Sequence, residues 1–149
     1  MGLSESLHRL FDSPVIKHNS EITICGISNN YLTCWEKESL LSQTSIYDKR
    51  KCTFKVEMSS MDRMNIRTSH GTYLSAEKAE CISQVITDKP GDKEGFFPVY
   101  LETGDFAIRT FEDKYLFCTE DFRVKTVPKD EFNDMCRFRK YHYLESPFN

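Results

Sequence analysis

Ile66-Arg67-Thr68-Ser69-His70-Gly71-Thr72-Tyr73-Leu74 and Ile108-Arg109-Thr110-Phe111-Glu112-Asp113-Lys114-Tyr115-Leu116 stand 42 residues apart and match at Ile, Arg, Thr and the Tyr-Leu pair. A second step of 42, toward the start of the chain, reaches Ile24 and Tyr31-Leu32. Leu40, Ile82 and Val124 fall on the same spacing, and so do Phe54, Phe96 and Phe138. Four apolar columns at one spacing are the mark of an internal repeat, in which each unit buries its apolar face only against its neighbours.

Within a unit the apolar residues alternate over short runs, which favours strands. Met64-Asn65-Ile66-Arg67 reads as a first strand, and a turn follows in which Gly71 is free to take positive φ. Tyr73-Leu74-Ser75-Ala76 is the second strand, Cys81 to Val85 the third, and Phe96 to Leu101 the fourth. Three such units give twelve strands, and closing six of them into a barrel capped by three hairpins leaves no edge exposed. The expected fold is therefore all-β, a β-trefoil of three 42-residue units with pseudo-threefold symmetry. The units run 22–63, 64–105 and 106–147 within one domain, 22–149. A propeller normally needs four or more blades, and helical repeats need an i, i+3, i+4 pattern that no unit shows. Residues 1–21 form a short N-terminal extension, with Leu3, Leu7, Leu10 and Phe11 at helical spacing before Asp12-Ser13-Pro14; a plug for one barrel end and an unstructured tail both fit.

The run Ile66 to Glu77, with its Tyr73-Leu74-Ser75-Ala76-Glu77, resembles the hairpin of fascin trefoils. Ala107-Ile108-Arg109-Thr110 followed by Lys114-Tyr115-Leu116 is similar to the same motif, which is found also in hisactophilin-like actin-crosslinking trefoils. Thr72 stands where the fascin turn usually has Lys, and fascin itself strings four trefoils together. The resemblance implies a non-catalytic, actin-associated module that binds or crosslinks F-actin in the cytoplasm, at the cytoskeleton.

The composition bounds the partners. Net charge is −3, from 23 acidic and 20 basic residues, so wholesale nucleic-acid binding is not expected. Residues 22–63 carry six basic against five acidic groups and residues 64–105 four against seven, which confines any anionic partner to a local patch. Lys49-Arg50-Lys51 and Lys55 in unit one, with Arg137 and Arg139 on the matching strand of unit three, are the candidate actin-binding residues, since a basic patch steers acidic partners. A solvated strand face is the plainer reading of the same residues.

No nucleophile motif, zinc-protease motif or phosphate-binding glycine loop is present, so neither catalysis nor a cofactor is expected. The six cysteines show no CxxC spacing, and the expectation is reduced thiols with no metal site. Cys34 and Cys118 share one register with Ala76 and read as small core residues. Cys52 and Cys136 share another with Glu94, which suggests a position near the surface or at a strand edge. His70, in a turn, reads as solvated. Met1-Gly2-Leu3-Ser4-Glu5-Ser6 matches the N-myristoylation pattern at Gly2, and contact with a membrane would require that acyl chain. The chain opens without the apolar run of a secretory signal, which makes the cytoplasm the expected location. Two further readings compete: a carbohydrate-binding trefoil, although the Gln-x-Trp of lectin units is missing and Trp35 is the one tryptophan, and a leaderless cytokine or growth-factor-like ligand.

Overall fold

The computed structural model describes residues 14–142 as twelve strands and three single 3-10 turns. Unit one holds β1 (Glu21–Gly26), β2 (Tyr31–Thr33), β3 (Ser42–Thr44) and β4 (Thr53–Met58). Unit two holds β5 (Met64–Thr68), β6 (Tyr73–Ser75), β7 (Ser83–Val85) and β8 (Phe96–Tyr100). Unit three holds β9 (Phe106–Thr110), β10 (Tyr115–Cys118), β11 (Val124–Val127) and β12 (Phe138–His142).

Six strands close a ring of antiparallel pairs: β1 with β4, β4 with β5, β5 with β8, β8 with β9, β9 with β12, and β12 with β1 again. The other six pair as the hairpins β2–β3, β6–β7 and β10–β11. Each hairpin joins the barrel at one bridge, and the three bridges are equivalent: Cys25 with Tyr31, Arg67 with Tyr73, and Arg109 with Tyr115. A closed barrel with three hairpins is the trefoil arrangement, and closure removes the unpaired edges that the barrel strands would otherwise show.

Side-chain alternation sends one face of every barrel strand inward. Phe54, Phe96 and Phe138, together with Ile24, Ile66 and Ile108, are each at most 1% exposed and meet in a single core cluster. Removing one of these rings would cost about 3–5 kcal/mol, which makes the columns the main determinant of the fold.

One expected column is displaced. Leu40 is 46% exposed, whereas Leu41 is buried beside Ile82 and Val124. Tyr31 faces Thr44, Tyr73 faces Val85 and Tyr115 faces Val127. Unit one therefore carries one extra residue in its hairpin turn and one fewer before β4, so the spacing is gapless only at the outer columns. A shift of one residue reverses which side chain points inward, and this exchanges Leu40 for Leu41.

The hairpins are clasped to one another by a recurring device. Gln43 Nε2 donates to the carbonyls of Thr119 (3.0 Å) and Arg123 (2.6 Å) in unit three. Its register mate Gln84 donates to the carbonyls of Glu36 (2.8 Å) and Ser39 (2.7 Å) in unit one. Thr126, the third mate, uses its backbone N–H on the Glu80 carbonyl at 3.3 Å. Gln84 also accepts from Thr72 Oγ1 at 2.6 Å, with Thr72 only 1% exposed. Thr72 is thus part of a buried hydrogen-bond network.

Residues 14–20 lie at the barrel end formed by Met58, Tyr100 and His142. Ile16 joins the core, and its N–H donates to Tyr100 Oη at 2.9 Å. Asn19 N–H donates to the Val56 carbonyl at 2.8 Å, and Met58 N–H to His18 Nδ1 at 2.9 Å. Leu3, Leu7, Leu10 and Phe11, the expected helical stripe, lie outside the described residues, as does Gly2.

Candidate functional site

The basic run of unit one occupies the tight turn between β3 and β4. Asp48 Oδ1 accepts the N–H groups of Arg50 (3.1 Å) and Lys51 (3.2 Å), and its own carbonyl accepts from Cys52 at 2.8 Å. An aspartate bonding the backbone two and three residues ahead is how the chain makes such a turn without glycine. The turn is anchored on both sides. The Lys51 carbonyl accepts Cys34 N–H (3.0 Å) and Thr33 Oγ1 (3.1 Å), and the Arg50 carbonyl accepts the Ser69 hydroxyl of unit two. Lys51 Nζ sits 4.7 Å from the centroid of the Trp35 ring, a cation–π contact on a side chain 37% exposed.

His70 belongs to the same seam between units one and two. Contrary to the expectation of a solvated ring, it is half-buried, with Nε2 2.7 Å from the Cys34 carbonyl. A carbonyl only accepts, so this nitrogen carries the proton. Lys55 projects outward from β4, directly opposite Glu21 on β1 and Arg67 on β5. Arg67 therefore extends the patch that begins at Lys49. Sequence reasoning missed it because the link is one of cross-strand register, while the two residues lie twelve positions apart in the chain.

The arginines of unit three do not join this patch. Arg137 precedes β12 rather than lying in it, at the end of the 3-10 turn Asp134–Cys136. Its Nε is 2.7 Å from Asp105 Oδ2 and its Nη1 2.8 Å from Asp134 Oδ1. These hydrogen bonds, the one to Asp105 foremost, raise its pKa further and engage its donors with two carboxylates. The trio presents no net positive charge. Arg139 is exposed on β12 as expected, with Nη2 3.2 Å from Asn29 Oδ1. It lies opposite Cys25 of β1, whereas Lys55 lies opposite Glu21. That separation is roughly 13 Å along the strand direction at ~3.3 Å per residue.

All six cysteines are free thiols. Cys52 and Cys136 are both 0% exposed, which corrects the expectation of a position near the surface. The misleading clue was Glu94 at the same register. In unit two its carboxylate folds back to accept the Ser75 hydroxyl at 2.7 Å and Gly91 N–H at 2.8 Å, so a charged side chain occupies a place that is apolar in the other units. Burial, reinforced by the neighbouring Cys52, pushes the Cys34 thiol up to about 12. Burial, with Cys136 and Cys25 beside it, does the same to Cys118, also to about 12. Among the described residues no three of His, Cys, Asp and Glu converge to hold a metal ion.

A concavity, which the sequence did not signal, lies in unit three. A groove of about 610 Å³ opens between the end of β10, the start of β11 and the turn Asn133–Met135, with Phe117, Asp121, Lys125 and Asn133 in its lining. Lys125 faces Phe117 across the hairpin, its Nζ 4.9 Å from the ring centroid. At the position of Phe117, unit one has Thr33 and unit two has Ser75, each with its hydroxyl bonded to the neighbouring segment, at the Lys51 carbonyl and the Glu94 carboxylate. At the position of Lys125 both have serine, Ser42 and Ser83. Phenylalanine makes no such bond, and here the threefold pattern breaks.

No family model matches the chain, and no curated protein matches it. Among solved structures it is similar to a designed threefold-symmetric protein, ThreeFoil, with a TM-score of 0.73 and 14% identity over 83% of this chain and 99% of that one. At that identity the likeness is one of fold, and it agrees with the barrel and hairpins in placing this chain among the β-trefoils.

Proposed function

We propose that the chain is a non-catalytic binding module that engages the acidic surface of an actin filament through Lys49, Arg50, Lys51 and Lys55, with Arg67 and Trp35 beside them. The observation that carries this reading is the anchored turn: three consecutive basic residues on a backbone held from both flanks, the last packed on an exposed tryptophan. A preorganised loop loses little conformational freedom on binding, and clustered cations raise the encounter rate with an acidic partner. The hairpins that resemble those of fascin-like actin-crosslinking trefoils point the same way. Arg137 is left out of the surface, and Arg139 lies apart from it.

Co-sedimentation with filaments tests this. Wild-type protein is expected to pellet at low salt and to be released as ionic strength rises past about 0.15 M, where screening reaches ~8 Å. Lys49→Glu with Arg50→Glu should weaken pelleting at least about tenfold, while Arg139→Glu should leave it unchanged. A wild type that stays in the supernatant at low salt removes the actin reading; pelleting indifferent to the double variant removes the surface.

A further inference from the structure

The three hairpin turns meet around the pseudo-threefold axis and form the outer face of the cap. Leu41 N–H donates to the Ile82 carbonyl at 2.9 Å, Gln43 N–H to the Phe122 carbonyl at 2.9 Å, and Thr126 N–H to the Glu80 carbonyl at 3.3 Å, so each turn touches the next. Leu41, Ile82 and Val124 enter the core, and alternation sends the residue before each of them outward. Leu40 is thereby exposed, and Phe122, beside the outward Arg123, is 47% exposed. Phe122 also takes φ 66°, in the left-handed region that favours glycine. An aromatic ring at such a position gains little from burial while straining its backbone, so the fold alone gives no reason for it. Trp35, in the unit-one turn, is the third large apolar side chain that these turns expose.

Charge decides what covers them. The turn of unit one carries Glu36, Lys37 and Glu38, that of unit two Glu77, Lys78 and Glu80, and that of unit three Glu120, Asp121 and Arg123, all exposed. Each turn thus holds two carboxylates and one cation, the Arg123–Asp121 pair at 3.4 Å included, and the cap is acidic. The surface that borders it is basic: Lys49, Arg50, Lys51, Lys55 and Arg67 outweigh the carboxylates of Asp48, Glu21 and Glu57 beside them. Trp35 joins the two patches, since it lies in a cap turn and its ring is 4.7 Å from Lys51 Nζ. Adjoining patches of opposite sign are self-complementary under a two-fold axis, which sets the acidic patch of each copy on the basic patch of the other. We propose that the chain pairs with a second copy of itself, with Leu40 and Phe122 as the apolar centre of the contact and the hairpin cap of each copy covering the Lys49-Arg50-Lys51 turn of the other. A few apolar anchors inside a charged rim suit a reversible, micromolar pair. The same turn faces the filament in the function proposed above, but the pair is measured without filaments, so either can fail alone.

Sedimentation velocity on the intact chain, from about 1 to about 300 µM, a range that spans micromolar dissociation constants, reads this directly. In dilute salt the mass is expected to rise from that of one chain to that of two. It should fall back at about 0.5 M salt, where screening reaches only roughly 4 Å. Phe122→Gly removes the ring from a position whose φ glycine takes without strain, so it should keep or raise the urea midpoint while weakening pairing at least about tenfold. Glu38→Lys with Glu80→Lys, and separately Lys49→Glu with Arg50→Glu, set like charges together in both contacts and should abolish pairing. An equimolar mixture of these two folded variants brings opposite charges together again and should recover the pair. A wild type of single-chain mass at every concentration, pairing indifferent to Phe122→Gly, or a mixture that stays unpaired while the wild type pairs would overturn the assignment.

Discussion

Units two and three share a backbone register but bury different chemistry beneath the second strand. In unit two Ser75, Glu94 and Gly91 form a small polar network, with bonds of 2.7 and 2.8 Å to the Glu94 carboxylate. In unit three the same places hold Phe117, Cys136 and Asn133, with an open groove alongside. Both solutions support the same barrel, since Phe96 and Phe138 are buried alike. The difference teaches that the inward columns fix the architecture, while the seam between hairpin and barrel is free to diverge. Functional asymmetry is therefore to be sought at the seam.

The largest effect should come from dismantling the polar version. Glu94→Ala leaves the Ser75 hydroxyl and Gly91 N–H without their acceptor, an expected loss of about 1–3 kcal/mol. Cys136→Ala, at the equivalent place, removes one buried sulfur and should cost less, about 1 kcal/mol. Urea unfolding midpoints give both values under identical conditions. A Cys136 variant as damaging as the Glu94 variant would mean that the two units are not stabilised in the different ways described.

A finer comparison concerns the glutamine clasps. Gln84 donates to two carbonyls and accepts from Thr72, whereas Gln43 donates to two carbonyls and its Oε1 has no partner among the described residues. Gln84→Ala should thus cost more than Gln43→Ala, with each near 1 kcal/mol. The reverse order would show that the Thr72 bond contributes nothing, and with it the account of why a threonine occupies that turn.

The columns Ile24, Ile66, Ile108 and Phe54, Phe96, Phe138 were legible in the sequence because a core position repeats wherever the barrel repeats. Leu40 misled for the same reason in reverse. An added residue in one turn and a missing one farther on cancel at Phe54, so fixed spacing conceals a local slip that only the pairing of Tyr31 with Thr44 reveals. Glu94 misled because residue type was taken for environment, and a carboxylate with two local donors sits comfortably where thiols are buried. The pairing of Arg137 with Asp105, and the gap that Phe117 leaves, depend on side-chain directions between segments distant in the chain. No periodicity encodes those directions, so the charge of Arg137 was legible and its neutralisation was not.

At neutral pH the smallest expected effect concerns the thiols, where unit two already supplies the reference. Ala76 stands at the register of Cys34 and Cys118, so Cys34→Ala with Cys118→Ala makes the three units alike at that point. Both thiols are pushed up to about 12 from 9.0 in the fold. A group whose folded pKa is raised stabilises the fold fully below its unfolded value and loses that contribution as pH climbs toward the folded one. The wild type should accordingly lose stability between pH 9 and about 12, and the double variant should lose less over the same interval. Equilibrium urea unfolding at stepped pH measures the two slopes. At pH 8 the same burial leaves Cys81, the half-buried one, as the thiol that reacts quickly with a disulfide reagent, while the other five follow only as the chain opens. Rapid labelling of Cys34 or Cys118 in the native protein, or parallel alkaline slopes for the two proteins, would show that water reaches the seam of units one and three, and that their thiol-lined version is less well sealed than the polar one in unit two.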